Sequence, residues 1–326
     1  MLPSMTDLTE TARVVALPLR QKFRGITTRE ALVFQGTEGW SEFSPFLEYD
    51  DAESSLWLAA AIEFAFHPAP AILRDHIPVN ATLPAVAPDQ VAAILDGFPG
   101  CRTVKVKVAE VGQQLSDDVA RLAAVRAYLG AEGRIRIDAN ANWNVDEAEH
   151  AIHALAGFDL EYVEQPCASI DELAEIRQRV KYMLIPIAAD ESVRRVTDPL
   201  EVARAGAADL LVLKAQPLGG IRASLAIAAA AGLPVVVSSA LDTSIGLALG
   251  AHLAAALPTL EFDCGLGTAA LLAADVCRNP LLPVNGQVPV VRPDVDPELL
   301  RQHTAAPERT DWWLARLGRC YELLAD

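Results

Sequence analysis

Short apolar runs, each closed by a charged or polar residue, recur along most of this chain at nearly equal spacing. Lys107 closes VKVK, Asp138 closes IRID, Glu164 closes EYVE, Asp190 closes IAAD, Lys214 closes LVLK, Ser238 closes VVVS and Asp263 closes EFD, at intervals of 24 to 31 residues. A buried strand with its crossover helix takes roughly 25–30 residues, so this is the interval of a βα unit. Helical stripes fill the gaps. Ser116-Asp117-Asp118 is expected to start one helix, with Val119, Leu122, Val125 and Leu129 on one face and Gly130 after it. Ser169 starts another, with Ile170, Leu173, Ile176 and Val180 on a stripe, and Asp198-Pro199, Gly220 and Thr243 open later ones. Such crossovers are right-handed and make the strands parallel. A first strand over Ile77 to Thr82 is followed by seven ending near the residues above. The expected class is α/β, a TIM-like (β/α)-barrel of the modified (β/α)7β form.

The first 75 residues do not share this period. Thr11 to Leu19, Gly25 to Gln35 and Gly39 to Glu42 read as antiparallel strands, and Asp51 to His67 as an Ala-rich helix. From about Pro283 the chain returns to short strands, at Val284 and at Val288 to Val291, and to a helix around Trp312 to Leu324. The two ends are expected to form one α+β capping domain, residues 1–76 with 284–326, over a barrel of residues 77–283.

Composition narrows the functions. Hydrophobic content of 52% suits a large core, and no uninterrupted apolar run has the length of a membrane span. The N-terminus lacks the basic start and apolar segment of a signal peptide. Five scattered cysteines, odd in number and without a CxxC, point to reduced thiols in the cytoplasm. A net charge of −16 with no basic cluster argues against nucleic acid. No obligate protein partner is evident, and a carboxylate substrate would need local positive charge to attract it.

A barrel gathers the C-terminal ends of its strands on one face, where active sites lie. Asp138, Glu164 and Asp190 end three successive strands and would span about 90° of an eightfold rim. Three carboxylates so close repel unless a cation sits among them, and all-oxygen donors suit Mg²⁺ (or Mn²⁺) better than zinc. Lys105 and Lys107, two apart, share a face that a helix-covered sheet turns inward. Lys214 ends a strand four positions on, about 180° around the ring. A desolvated lysine near a cation has a lowered pKa and can act as a base.

KVK, DAN, EQP, DES and a lysine before Gly-Gly together resemble the muconate-lactonizing subgroup of the enolase superfamily, over essentially the whole chain. The resemblance implies Asp138, Glu164 and Asp190 as metal ligands, Lys107 as the proton-abstracting base, Lys214 as the opposing catalytic lysine and Lys105 as a supporting charge at the substrate carboxylate. It places Asn140, Gly219, Gly220, Ser238, Ser239 and Gly265 along the substrate pocket. None of the six histidines (His67, His76, His150, His153, His252, His303) ends a strand, which disfavours the branch built on a His-Asp dyad.

Within the subgroup the compact cap, PLRQKFRGITTRE (Pro18 to Glu30), GWSEFSP (Gly39 to Pro45) and VVVSSALDTSIG look most like o-succinylbenzoate synthases of the actinobacterial type. The implied reaction, a step of menaquinone biosynthesis, is metal-dependent syn loss of water from a succinyl-hydroxycyclohexadiene carboxylate through an enediolate. Arg24 is expected to bind substrate, and Phe23, Gly25, Phe43 and Phe46 either to close over it or to fill the cap core. Trp143, Trp312 and Trp313 read as packing residues, and Asp242 and Asp263 as supports for neighbouring loops. The alternative is a dipeptide epimerase, N-acylamino acid racemase or muconate-type cycloisomerase, because opposed lysines also suit proton transfer on both faces. A non-catalytic barrel would require the acids and lysines to be accidental.

Overall fold

The computed structural model describes residues 2–195 and 198–325; the end residues of the expected cap, Met1 and Asp326, lie outside it. A short helix, α1 (Met5–Thr9), precedes an antiparallel sheet of β1 (Arg13–Phe23), β2 (Ile26–Gly36) and β3 (Gly39–Phe43), in that spatial order. Arg24 and Gly25 both have positive φ, 48° and 79°, as a two-residue hairpin turn between the paired Phe23 and Ile26 requires. Helix α2 (Asp51–Phe66) starts at Asp50, whose carboxylate accepts the Glu53 amide at 2.7 Å. Its Trp57, Leu58, Ala61 and Ala65 are buried on one side and Ala60 and Phe64 on another, so it is apolar nearly all round.

Next come β4 (His76–Pro78), β5 (Ala81–Leu83), α3 (Val91–Leu95), β6 (Thr103–Lys107), α4 (Leu115–Leu129), β7 (Arg134–Asp138) and α5 (Val145–Leu155). They are followed by β8 (Leu160–Glu164), α6 (Ile170–Val180), β9 (Ile187–Ala189), α7 (Glu191–Arg194) and α8 (Glu201–Arg204). The barrel ends with β10 (Leu210–Leu213), α9 (Ile221–Ala231), β11 (Val235–Val237) and α10 (Ser244–Ala256). The order β11-β10-β9-β8-β7-β6-β5 is parallel throughout. Two further parallel bridges, Val79↔Cys264 and Ser238↔Gly265, close the ring with a minimal eighth strand. The tail adds β12 (Gln287–Pro289), α11 (Pro297–Gln302) and α12 (Pro307–Ala325). The expected (β/α)7β barrel with an α+β cap is what the chain forms.

Four expectations need correction. The first strand is split: His76–Pro78 pairs antiparallel with β12, whereas Ala81–Leu83 pairs with β6. The switch falls at Val79 and Asn80, whose amides go to Gly286 O and Cys264 O. The tail strand therefore pairs with the entry to the barrel and not with the three-stranded sheet of the cap. Asp263 stands at the opposite end of the ring from the other strand-closing residues, because the strand begins after it. Its carboxylate accepts from Thr103 at 2.6 Å and pairs with Arg134 at 2.6 Å, the first residues of β6 and β7. Helix α4 is capped by Gln114, not Ser116, with the Asp117 carboxylate accepting the Gln114 amide at 2.8 Å. The helix after Asp198-Pro199 is only the single turn of α8.

Helix α12 joins the cap. Phe43 meets Trp313 edge-on at 5.9 Å, and the Trp313 indole donates to Glu30 at 2.8 Å. Arg316 donates to the Tyr49 carbonyl at 2.6 Å and the Ser54 hydroxyl at 2.7 Å. Phe43 is thus cap core and does not cover the barrel mouth. Inside the ring Tyr162, Ala188, Leu210, Val212 and Val236 form their own apolar layer. Arg136 lies over Tyr162 at 4.7 Å, donating to the Asp263 carbonyl at 2.6 Å. The cysteines are free, and among the described residues no helix is long and apolar enough to cross a membrane.

Candidate active site

Parallel register puts Lys107 beside Asp138, Asp138 beside Glu164, and Glu164 beside Ala188, two residues before Asp190. Neighbouring strands lie about 4.8 Å apart, so the three carboxylates fall along one arc of the rim. Beyond the strands the backbone turns sharply. Asn140, Ala141, Gln165 and Leu241 all have φ between 38° and 63°, a conformation that asparagine tolerates but that the other three keep only when surroundings enforce it. Gln165 supplies part of that enforcement. Its side-chain oxygen accepts the amides of Asp190 (2.9 Å) and Ser192 (3.2 Å), tying the ends of β8 and β9 together.

The acids are fully buried, and ammonium groups fill the gaps between them. Lys105 donates to Glu164 at 2.7 Å and lies 3.0 Å from Asp138; Lys107 donates to Asp138 at 2.5 Å and to the Asn140 side-chain oxygen at 2.6 Å. On the far arc Lys214 donates to Asp190, whose other oxygen accepts from Arg194 at 2.9 Å. Arg194 also donates to Glu191 at 2.8 Å and to the Tyr49 hydroxyl of the cap at 2.8 Å. Asn140 completes the ring by donating to Glu191 at 3.2 Å.

These environments push the titrating groups apart. Burial lowers the Lys107 ammonium, aided by the like charge of Lys105, although Asp138 opposes it. Burial also acts on Lys105, but Glu164 and Asp138 outweigh it and hold that lysine well above its ordinary value. Burial raises Asp138 less than Lys107 and Lys105 lower it, and raises Asp190 less than Arg194 and Lys214 lower it. Glu164 is pushed up to about 7 by burial and by Asp138 across the strand gap.

The donor set suits a hard dication. It is all oxygen, it comes from three successive strand ends, and Glu164 Oε2 is buried without a hydrogen-bond partner among the described residues. Lys105, Lys107 and Lys214 donate to these same carboxylates, and among the described residues no three His, Cys, Asp or Glu side chains converge as a metal group.

Lys107 and Lys214 line one chamber from opposite walls, with Lys105, Asn140, Ser238, Ser239 and Arg24. This inner chamber is only about 30 Å³, while a cavity of about 310 Å³ shares Phe23, Arg24, Lys107 and Asn140 with it. Phe23 and Phe46 also face the chamber, and Arg24 stacks over Phe46 at 4.2 Å. Gly265 stands behind the wall, where any side chain would strike the Ser238 hydroxyl. Gly219 and Gly220 are not at the chamber. Gly220 caps α9 with φ 120° and presses on Glu63 of α2, and Gly219 lines an outer groove beside Leu56 and Ala59. The positive-φ turn at these glycines serves the start of α9 and its approach to the cap.

Several lining or supporting residues escaped the sequence reading. Thr82 pairs with Lys105 in register, and Thr268 meets the Ser239 hydroxyl at 2.8 Å. Arg136 was signalled by period two, since Arg134, Arg136 and Asp138 share a face. Tyr49 and Arg194 carried no local signal, because their meeting depends on how the cap docks.

Residues 89–295 match the enolase C-terminal domain-like family and residues 14–65 the enolase N-terminal domain-like family. The chain is 56% identical over 308 residues to the o-succinylbenzoate synthase of Thermobifida fusca (strain YX), covering 94% of this chain and 95% of that one. It is 52% identical over 322 residues to the o-succinylbenzoate synthase of Mycobacterium ulcerans (strain Agy99), covering 98% and 96%. Among solved structures, muconate lactonizing enzyme from Pseudomonas fluorescens, complexed with muconolactone, superposes with a TM-score of 0.75 at 22% identity, over 90% of this chain and 98% of that one. The substrate-liganded L-Ala-D/L-Glu epimerase from Bacillus subtilis gives 0.73 at 24% identity, over 87% and 96%. These two likenesses establish the shared fold.

Proposed function

Because this chain belongs to the o-succinylbenzoate synthases of the enolase superfamily, we propose a division of labour among its residues in the reaction of that family. It is a lyase that removes water from a succinyl-hydroxycyclohexadiene carboxylate to give 2-succinylbenzoate. The observation that carries the assignment of roles is the chamber with Lys107 and Lys214 on opposite walls above three buried carboxylates. The epimerase and cycloisomerase alternative is not favoured, since those likenesses are of fold alone.

Asp138, Glu164 and Asp190 would hold the divalent cation on which the superfamily depends, Mg²⁺ or Mn²⁺ by the hardness of the donors. Bound there, the cation supplies Lewis acidity toward the substrate carboxylate, taking up charge as the α-proton leaves. Lys107 accepts that proton on Nζ; Asn140 and Asp138 aim it, and burial favours its neutral form. The C–H electron pair moves toward the carboxylate and then returns to expel hydroxide as the ring becomes aromatic. In a syn elimination the leaving oxygen is on the Lys107 face, so the same nitrogen can return its proton and water departs. Lys105 stays charged between Asp138 and Glu164. Lys214 contributes as a fixed cation on the opposite wall. Arg24, on the hairpin over the chamber, suits the carboxylate of the succinyl arm, and Phe23 and Phe46 suit the ring.

Two experiments test this. Turnover of the cyclohexadiene precursor should vanish in excess chelator and return with Mg²⁺ or Mn²⁺. Chelated protein that still dehydrates the precursor would remove the cation from the reaction. For Lys214, a residue that only needs to be positive tolerates arginine, which does not deprotonate in proteins. Lys214→Arg should therefore retain measurable dehydration, while Lys214→Ala loses about 10²–10³-fold. Equal losses in both, with solvent deuterium entering the α-position of an N-acylamino acid in the wild type, would favour proton transfer by Lys214. We place the enzyme in the cytoplasm, which its unpaired cysteines support. We infer that it acts on a small carboxylate without nucleic acid or membrane; no obligate protein partner is evident.

A further inference from the structure

A second buried charged cluster lies where the cap meets the wall of the chamber. Arg29 on β2, Glu42 on β3 and Asp242, in the loop between β11 and α10, are all buried. Arg29 donates to three backbone carbonyls and one hydroxyl. Its Nε donates to the Leu241 carbonyl at 3.1 Å, and its terminal nitrogen to the Ser44 carbonyl, the Ser44 hydroxyl (3.0 Å) and the Ala240 carbonyl (3.4 Å). Glu42 takes the start of α10, accepting the amides of Thr243 at 3.1 Å and Gly246 at 3.0 Å and the Thr243 hydroxyl at 2.5 Å. The Ser44 hydroxyl donates to Glu42 at 2.6 Å, so the two cap residues act as one unit. Asp242 folds back to accept the Ala240 amide at 3.2 Å, while its other oxygen has no partner among the described residues.

Two of the residues whose backbone is held this way border the chamber. Ala240 and Leu241 line it, and Leu241 is a branched residue at φ 62°. Leucine does not keep that conformation unless neighbouring groups impose it. Arg29 is hydrogen-bonded to the carbonyl of that leucine and also lies 4.5 Å over Phe46, another lining residue. Ordinary interface packing would not need an arginine aimed at the carbonyl of a left-handed leucine in that wall.

We propose that Arg29 and Glu42 are positioning residues of the cap: they hold the wall made by Ala240 and the left-handed Leu241, and the start of α10, and so set how tightly the substrate fits without touching it. This rests on the dehydration assigned above. A structural tie alone would change stability; a positioning role changes KM and product affinity in folded protein. With full-length enzyme and Mg²⁺, Arg29→Met should raise KM for the cyclohexadiene and the calorimetric Kd for 2-succinylbenzoate about tenfold. The fall in kcat should be the smaller effect, and Mg²⁺ affinity without organic ligand should stay within about twofold, since the acids lie on other strands. Folded Arg29→Met with KM and Kd raised less than about threefold, or with kcat falling more than KM rises, overturns the proposal. Should Arg29→Met not fold, Ser44→Ala carries the test, because it removes only the hydroxyl joining the pair. It should raise both quantities about threefold, and wild-type values would overturn the proposal. A wild-type chain that never dehydrates the cyclohexadiene would count against the activity and not against the clamp, which product binding still reads.

Discussion

Lys107→Ala should lower kcat by about 10⁴-fold, the upper range for a positioned proton-transfer group, in protein that stays folded. Geometry leaves no substitute on that wall. Lys105 points to the same side of β6, but Glu164 at 2.7 Å and Asp138 at 3.0 Å keep it charged, and a protonated lysine cannot accept a proton. Lys214 approaches from the opposite side of the chamber, four strands around the sheet. Truncation at 107 leaves Asp138 still facing Lys105, so no carboxylate is stranded without a cation. Steady-state kinetics beside a circular-dichroism melt would check both halves of the expectation. Lys105→Ala should be milder. If Lys105→Ala proved the more damaging substitution in folded protein, the two lysines would exchange roles.

The second large effect is expected at Glu164→Gln. Glutamine keeps the shape and can still accept from Lys105, but it removes the charge of the central one of three acids. Loss of several kcal/mol of charge stabilisation corresponds to about 10³-fold or more in turnover. Divalent-cation affinity, titrated directly by calorimetry, should fall at least about 100-fold. The fold should not suffer. Glu164 is crowded by Asp138, which with burial pushes it up to about 7, and its Oε2 has no partner among the described residues. The amide relieves that crowding, so the cation-free melting temperature should equal or exceed that of the wild type. A folded variant with wild-type cation affinity would sink the assignment of Glu164 as a ligand.

Strand spacing and alternation are what make most of the site residues legible in the sequence. Asp138 and Glu164 each end a strand whose residues alternate inward and outward, and Asp190 and Lys214 follow directly on theirs, so spacing alone placed them on one rim. Asp263 obeyed the same spacing and still landed at the other end of the ring. Which end of a strand a residue occupies depends on its pairing, and here Cys264 and Gly265, not Asp263, make the bridges. Gly219 and Gly220 sit a few residues after Lys214 but turn away toward α2, because the positive-φ glycine turn that starts α9 redirects the chain.

By itself the sequence determined what is local or periodic: the βα interval, the cap strands, the capped helices, and one carboxylate or lysine at each of five strand ends. Those follow from hydrogen bonds and burial that repeat every two, 3.6 or about 25 residues, and a repeat is legible without knowing partners. Only the tertiary structure decided the contacts between segments far apart in sequence. Tyr49 reaches Arg194, Glu42 reaches Gly246 and Arg29 reaches Leu241, across separations of 145, 204 and 212 residues. No period links such pairs. They are fixed when the docked cap and the closed barrel bury polar groups that must find partners, and the shape of the chamber follows from that satisfaction.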